Sequence, residues 1–182
     1  FPLPPHLRKK AGTLAIVPTI CEFERNWNLF THNILSNMSW NNVVAAGGSV
    51  LATFLIHNIY LQSSQLSAAL FPTRHVQIIL RLYHSPAEVL AGFDIDSCCF
   101  AYDGSHLWTC PRALASCIRQ SNSVDLTRRS PSYEVRLAKY GQRGHEVYLP
   151  SLSRNKIDPS IFCHPSPKRP SGLARLLILE RL

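Results

Sequence analysis

Apolar residues recur along the first third of the chain at spacings typical of a helix and then of a strand. Residues 22–38 place apolar side chains three or four positions apart, which predicts an amphipathic helix. Residues 42–46 predict a short buried strand. The glycines of Gly47-Gly48-Ser49 predict a turn from that strand into a helix over 50–56. The helical apolar side chains are Phe23, Trp27, Phe30, Ile34 and Leu35.

The rest of the chain alternates strand and helix signals. Alternating apolar residues predict a strand over 75–83 and a second over 93–102, and Asp103-Gly104 predicts a hairpin turn after it. Ser-Pro pairs, with serine as N-cap and proline in the first turn, predict helix starts. The remaining predicted elements are helices over 63–70, 86–92, 111–120, 131–140 and 173–182 and strands over 106–109 and 147–149.

This order of elements predicts an α+β fold with a mixed sheet flanked by helices. The chain has 182 residues, of which 46% are hydrophobic and 16% charged, a composition that excludes a disordered polar chain. We expect a flexible tail over residues 1–20, which are rich in proline and basic residues, and a single domain over 21–182, with an incomplete domain as the alternative. Because the first residue is Phe1, we also expect a fragment or a processed form of something longer.

Charge is unevenly distributed, with 19 Lys+Arg, 11 Asp+Glu and a net charge of +8. Residues 26–73 contain no Lys, Arg, Asp or Glu at all. The most apolar run, over 43–56, is shorter than the ~20 residues of a membrane span, so it predicts buried core and no membrane. Six cysteines without a Cys-x-x-Cys pair or a secretory signal predict free thiols and an intracellular location, cytoplasmic or nuclear.

The cysteines leave a zinc site as an alternative. Its ligands would be Cys98 or Cys99 with His106, Cys110 and Cys117. This spacing matches no common zinc finger or ribbon. In a strand, the adjacent Cys98 and Cys99 would also point to opposite faces.

Two short motifs carry candidate phosphate or metal chemistry. Gly47, Gly48 and Ser49 follow a predicted strand, where backbone N–H groups can approach a phosphate; tight packing of strand on helix is the alternative. Asp94 and Asp96 would share one face of a strand and could hold Mg²⁺. The alternative is that these two carboxylates cap a turn or pair with Arg74 or Arg81.

Basic residues are concentrated near the predicted helix over 131–140. A basic face there could bind the phosphates of a nucleic acid, and a solvated outer face is the alternative. The members of this predicted basic face are Arg128, Arg129, Arg136, Lys139 and Arg143.

The glycine turn and the later Asp-Ile-Asp strand resemble the polymerase-β-type nucleotidyltransferase pattern. More narrowly, several stretches resemble a domain of large, uncharacterised fungal proteins, found often beside ankyrin repeats and sometimes with ADP-ribose-polymerase modules. The resemblance implies nucleotide binding, partners bound through domains outside this chain, and two Mg²⁺ ions held by three acids. The stretches are 43–52, 74–83, 85–90, 92–96, 125–134 and 136–140.

The chain departs from that pattern in its acids. The resemblance implies an Asp-x-Asp block soon after the glycine turn, but no Asp or Glu lies between Gly48 and Glu88. Only Asp94, with Asp96, matches the third acid. We therefore expect a degenerate, non-catalytic binding or interaction module. The alternatives are a Mg²⁺-dependent nucleotidyltransferase whose acidic block is lost from this gene model around 57–71, and a basic nucleic-acid-binding domain.

Overall fold

The fold was analysed in a computed structural model that describes residues 2–55, 77–163 and 172–180. It is an α+β fold, as the sequence predicts, with six α-helices and five short strands in the described residues. The helices are α1 Ile20–Thr31, α2 Gly48–Phe54, α3 Pro86–Ala91, α4 Pro111–Arg119, α5 Tyr133–Gln142 and α6 Ala174–Leu179. The strands are β1 Ala45–Ala46, β2 Phe100–Tyr102, β3 Leu107–Thr109, β4 Ser121–Ser123 and β5 Glu146–Tyr148.

Local signals set several helix ends. The Ser85 hydroxyl accepts a hydrogen bond from the Glu88 N–H at 3.3 Å, and Pro86 is the first residue of α3. Helix α1 is shorter than predicted, because His32 and Asn33 take the left-handed conformation with φ of 52° and 59°. A right-handed helix cannot continue through such residues, so the prediction of a helix to residue 38 is wrong.

The strands form two small sheets. Antiparallel β2 lies between β1 and β3, with Ala101 opposite both Ala46 and Trp108. Strands β4 and β5 pair in parallel, and Asn122 is opposite Val147. Helix α5 lies between these two strands in the sequence, as a parallel connection requires.

One hydrophobic cluster joins the larger sheet to its helices. Phe100, Ile95, Phe23, Tyr133 and Leu137 are all 0% exposed. They come from β2 and the turn before it, from α1 and from α5. The burial of α5 fixes the position of the basic residues that it carries.

Two strand predictions are wrong in the described residues. Residues 77–83 contain no strand, and Leu80 and Leu82 are 97% and 99% exposed; His75 and Val76 lie outside the described residues. The strand predicted over 93–102 is confined to Phe100–Tyr102, because Asp96–Cys98 forms a 3-10 turn. Asp94 and Asp96 therefore do not lie on a strand.

The N-terminal residues contact the domain, where the sequence predicted a free tail. Leu3 is buried, and its N–H donates to the Glu146 carboxylate at 3.3 Å. The Lys9 N–H donates to the Gln120 side chain at 2.7 Å. Val17 is also buried in the hydrophobic cluster. The packed part of the chain therefore includes residues before 20.

Among the helices of residues 2–55, 77–163 and 172–180, each is too short or too polar to cross a membrane.

Candidate functional site

The glycine turn is held against the central strand of the larger sheet. Gly47 has φ +90° and ψ −143°, a conformation that L-residues with a side chain rarely adopt. Its N–H donates to the Phe100 carbonyl at 2.9 Å. The turn is thereby anchored to β2, and Gly48 becomes the first residue of α2.

Helix α5 packs directly onto this turn. A Cβ atom at Gly48 would lie 2.7 Å from the Tyr140 hydroxyl oxygen and 3.7 Å from Arg143 Nη1. The first distance is too short for two atoms that are not bonded, so any side chain at Gly48 would displace Tyr140. The turn is therefore tightly packed, although against α5, whereas the sequence offered packing of the strand on its own helix; phosphate binding stays a prediction.

Two cations lie beside the same tyrosine. Lys139 Nζ is 4.9 Å and Arg143 Cζ is 5.7 Å from the centre of the Tyr140 ring, within the range of cation–π attraction. Within the described parts of the chain, no ion pair includes either of them. We call Gly47–Ser49, Lys139, Tyr140 and Arg143 together the glycine-turn patch.

Positive charge is crowded at the glycine-turn patch. Burial lowers the pKa of Lys139, and the neighbouring charges of Arg143 and Arg136 lower it further. Burial also raises the pKa of Tyr140, so its hydroxyl stays protonated and can donate a hydrogen bond at neutral pH. An anion bound here would relieve the repulsion between the cations.

The other three members of the predicted basic face are paired with acids. Arg129 Nε lies 2.6 Å from Glu134, whose side chain is only 3% exposed. Arg136 Nη2 lies 2.5 Å from Asp94 Oδ2, and Arg128 Nε lies 3.3 Å from Asp125. The predicted face is therefore divided into three neutralised arginines and the two cations of the glycine-turn patch.

Asp94 and Asp96 contact different arginines. Asp94 also accepts a hydrogen bond from the Ser130 hydroxyl at 2.8 Å. Asp96 Oδ1 lies 2.9 Å from Arg112 Nη1, and its Oδ2 accepts the Ser123 N–H at 3.3 Å. The alternative of arginine pairing agrees with these contacts, although its partners are Arg136 and Arg112. Of the arginines named in that alternative, Arg74 lies outside the described residues and Arg81 stacks on Tyr83.

These carboxylates do not fit the Mg²⁺ ions that the resemblance implies. Mg²⁺ requires an almost ideal octahedron of oxygen ligands, whereas Asp94 Oδ2 and both oxygens of Asp96 already accept hydrogen bonds from arginines, Ser130 and the Ser123 backbone. Over the residues that the structure describes, no three His, Cys, Asp or Glu side chains form a group that could hold a metal ion. Residues 57–71, where the missing block was expected, lie outside that part of the chain.

The zinc alternative is not assembled either. His106 is exposed and lies 3.5 Å from Asp103 instead of near a thiol. Cys98 and Cys99 both direct their sulfur atoms at the Ile95 carbonyl, at 3.2 Å and 3.1 Å. The expectation that they face opposite ways is wrong, because Cys98 belongs to the 3-10 turn and only a strand alternates its side chains.

Sequence reasoning missed two of the residues that shape this region. Arg112 donates to the carbonyls of Phe93 and Leu90 as well as to Asp96, at 2.7 Å and 3.3 Å. His145 is buried, its ring nitrogens have no hydrogen-bond partner among the described residues, and burial lowers its pKa to about 4. A possible signal for Arg112 was its place directly after Pro111, in the first turn of a helix; nothing in the sequence pointed to the burial of His145.

Comparison with known proteins gives one similarity that can be described. The chain is 39% identical over 82 residues to the uncharacterized protein R883 of Acanthamoeba polyphaga mimivirus. The match covers 45% of this chain and 18% of the viral protein. No family model and no solved structure matches the chain. The viral protein is itself uncharacterized, so this similarity indicates no activity for the chain.

Proposed function

We propose that this chain is a nucleotidyltransferase-like binding module that holds the phosphate groups of a nucleotide without transferring a nucleotidyl group. The observation that carries the proposal is the contact between Gly48 and helix α5. It brings together a glycine turn, a protonated tyrosine hydroxyl and two cations that form no ion pair within the described residues. Phosphate binding uses the same groups, namely backbone N–H donors and Lys or Arg side chains.

The acids argue for binding without catalysis. Nucleotidyl transfer by the two-metal route needs carboxylates that can bind metal. Asp94 and Asp96 are each engaged by an arginine. A site with available cations and neutralised carboxylates attracts a phosphate but lacks ligands for the metals that would activate it.

The pairing of charges also bears on the nucleic-acid alternative. A nucleic-acid surface gains affinity from each cation that is available to a phosphate. Arg128, Arg129 and Arg136 already have acid partners, which leaves two cations in a small patch. A patch of this size suits a single nucleotide or phosphate group better than an extended nucleic-acid strand.

The test is calorimetric titration of the chain with ATP. We expect the double substitution Lys139→Gln with Arg143→Gln to weaken binding about thirtyfold, because each removes a charge-assisted contact worth roughly 1 kcal/mol. The matched control is Arg119→Gln, which removes an exposed cation at the end of α4 that is not a member of the glycine-turn patch. That control should bind as the parent chain does.

A second pair of variants tests the glycine turn itself. Gly48→Ala should abolish binding by pushing Tyr140 away. Tyr140→Phe should weaken binding, because it removes the hydroxyl donor. Binding that ignores all of these changes contradicts the proposal. Robust Mg²⁺-dependent transfer from labelled ATP, CTP, GTP or UTP, lost on Asp94→Ala, would overturn the non-catalytic part.

A further inference from the structure

The two arginines that engage Asp94 and Asp96 are themselves fixed in place. Arg112 donates to the Phe93 carbonyl at 2.7 Å as well as to Asp96 at 2.9 Å. Arg136 donates to the Ser132 hydroxyl at 3.0 Å and to Asp94 at 2.5 Å. Each guanidinium group therefore bridges its carboxylate to a second oxygen acceptor, and displacing it would break both contacts.

Both ion pairs are shielded from water. The Asp94 and Asp96 side chains are 11% and 16% exposed, and their partner arginines are 35% and 23% exposed. Burial by itself would lower the pKa of Arg112, but the hydrogen bond to Asp96 raises it overall. A partly buried pair of this kind is costly to separate, because each charge would be left without compensation.

A divalent cation would therefore compete with a charge that is already in position. To bind Asp94 Oδ2 or Asp96 Oδ1, Mg²⁺ would have to give up part of its tightly held water shell and also displace a guanidinium group. Mg²⁺ bound to the phosphates of a ligand has the same difficulty, since Asp94 and Asp96 are each already paired with an arginine. Mg²⁺ on the ligand would also neutralise part of the negative charge of the phosphates, which would weaken their attraction to Lys139 and Arg143.

We infer that the glycine-turn patch takes its phosphate ligand as a metal-free anion, with Arg136 and Arg112 neutralising the acids as a divalent cation would. This inference rests on the proposed function and adds the ionic form of the ligand. Lys139 and Arg143 then supply the countercharge directly. The class of ligand is a free polyphosphate or phosphate ester, in contrast to its magnesium complex.

The experiment is calorimetric titration with ATP, and separately with inorganic tripolyphosphate, in EDTA and in excess Mg²⁺ at matched ionic strength. We expect binding in EDTA to be about two- to five-fold tighter, the effect of strengthening exposed charge contacts. Binding that requires Mg²⁺ overturns the inference and leaves the proposed function in place. Absence of binding in both buffers overturns the proposed function as well.

A substitution tests the role given to Arg136. Arg136→Gln releases Asp94, so Mg²⁺ should improve ATP binding by this variant relative to EDTA, reversing the preference of the parent chain. Arg119→Gln should keep the parent preference. Thermal unfolding shows whether each variant is folded. If Arg136→Gln does not fold, Arg112→Gln, which releases Asp96, takes its place in the same titrations. A folded variant that keeps the parent preference contradicts the role of the arginines.

Discussion

Residues 77–83 and 95–102 are both rich in apolar side chains, yet they lie in opposite environments. Ile95, Cys99 and Phe100 are 0% exposed, whereas Leu80 and Leu82 are almost fully exposed. The sequence predicts a strand in each stretch. The structure has a strand in the second only, where β2 bonds to β1 on one side and to β3 on the other.

The difference shows that apolar alternation is not sufficient for a strand. Backbone N–H and C=O groups must be paired before a strand can be buried, and β2 has two neighbours that pair with it. Residues 77–83 belong to no sheet in the structure, so their apolar side chains gain no burial. Three predictions test how far this contrast extends to stability.

The largest effect is expected where the buried stretch loses a side chain. Phe100→Ala should lower the free energy of unfolding by about 3–5 kcal/mol, because it leaves a cavity in the core. Leu82→Ala is the matched change in the exposed stretch and should cost about 0.5 kcal/mol or less. Urea unfolding measures both; equal losses would mean that residues 77–83 are buried in solution.

A smaller effect is expected at the hairpin that gives β2 its second neighbour. Gly104 has φ +94°, and a Cβ there would lie 2.3 Å from Trp40 Cγ. Gly104→Ala should therefore cost roughly 3 kcal/mol, combining backbone strain with crowding. Gly12→Ala is the control, since Gly12 has a similar φ of +83° and open space around it. Thermal unfolding should show a smaller loss of stability for Gly12→Ala than for Gly104→Ala. Equal losses of stability would mean that crowding against Trp40 contributes nothing.

The smallest effect is expected for the loss of stability when the pH is lowered. His145 is buried, and its pKa is lowered to about 4, so between pH 6.5 and 4 the unfolded chain binds a proton that the folded chain does not. Stability should fall by roughly 2 kcal/mol from pH 7 to 4.5 through this residue.

Urea unfolding at the two pH values checks this, and His145→Gln should reduce the fall. Residues 77–83 have no group that titrates in that range, so Leu82→Ala should keep the parent pH dependence. An unchanged pH dependence in His145→Gln would show that His145 is accessible to protons in the folded chain.

Much of the fold could be predicted because its signals are local. Ser85 with Pro86 marked the start of α3, and Pro111 marked the start of α4. Strand β4 was missed because Ser121–Ser123 is entirely polar and is a strand only through its pairing with β5. Where a tertiary partner decides the structure, a single sequence gives no local sign of it.

The candidate site, too, has residues that the sequence could identify and contacts that it could not. The glycine turn and the cations Lys139 and Arg143 could be picked out by residue type and spacing. The pairing of Arg136 with Asp94 joins residues 42 positions apart, and that of Arg112 with Asp96 joins residues 16 apart. Those distant contacts turn a candidate metal site into a set of neutralised acids, and only the folded chain brings them together.

The contacts of the first residues have a consequence for where the domain begins. Lys9 bonds Gln120, next to the start of β4, and Leu3 and Arg8 bond Glu146, the first residue of β5. This segment therefore makes its contacts where the two paired strands β4 and β5 begin. A version of the protein that begins at residue 21 would lose these hydrogen bonds to β5 and to the residue before β4. The folded domain thus includes Leu3.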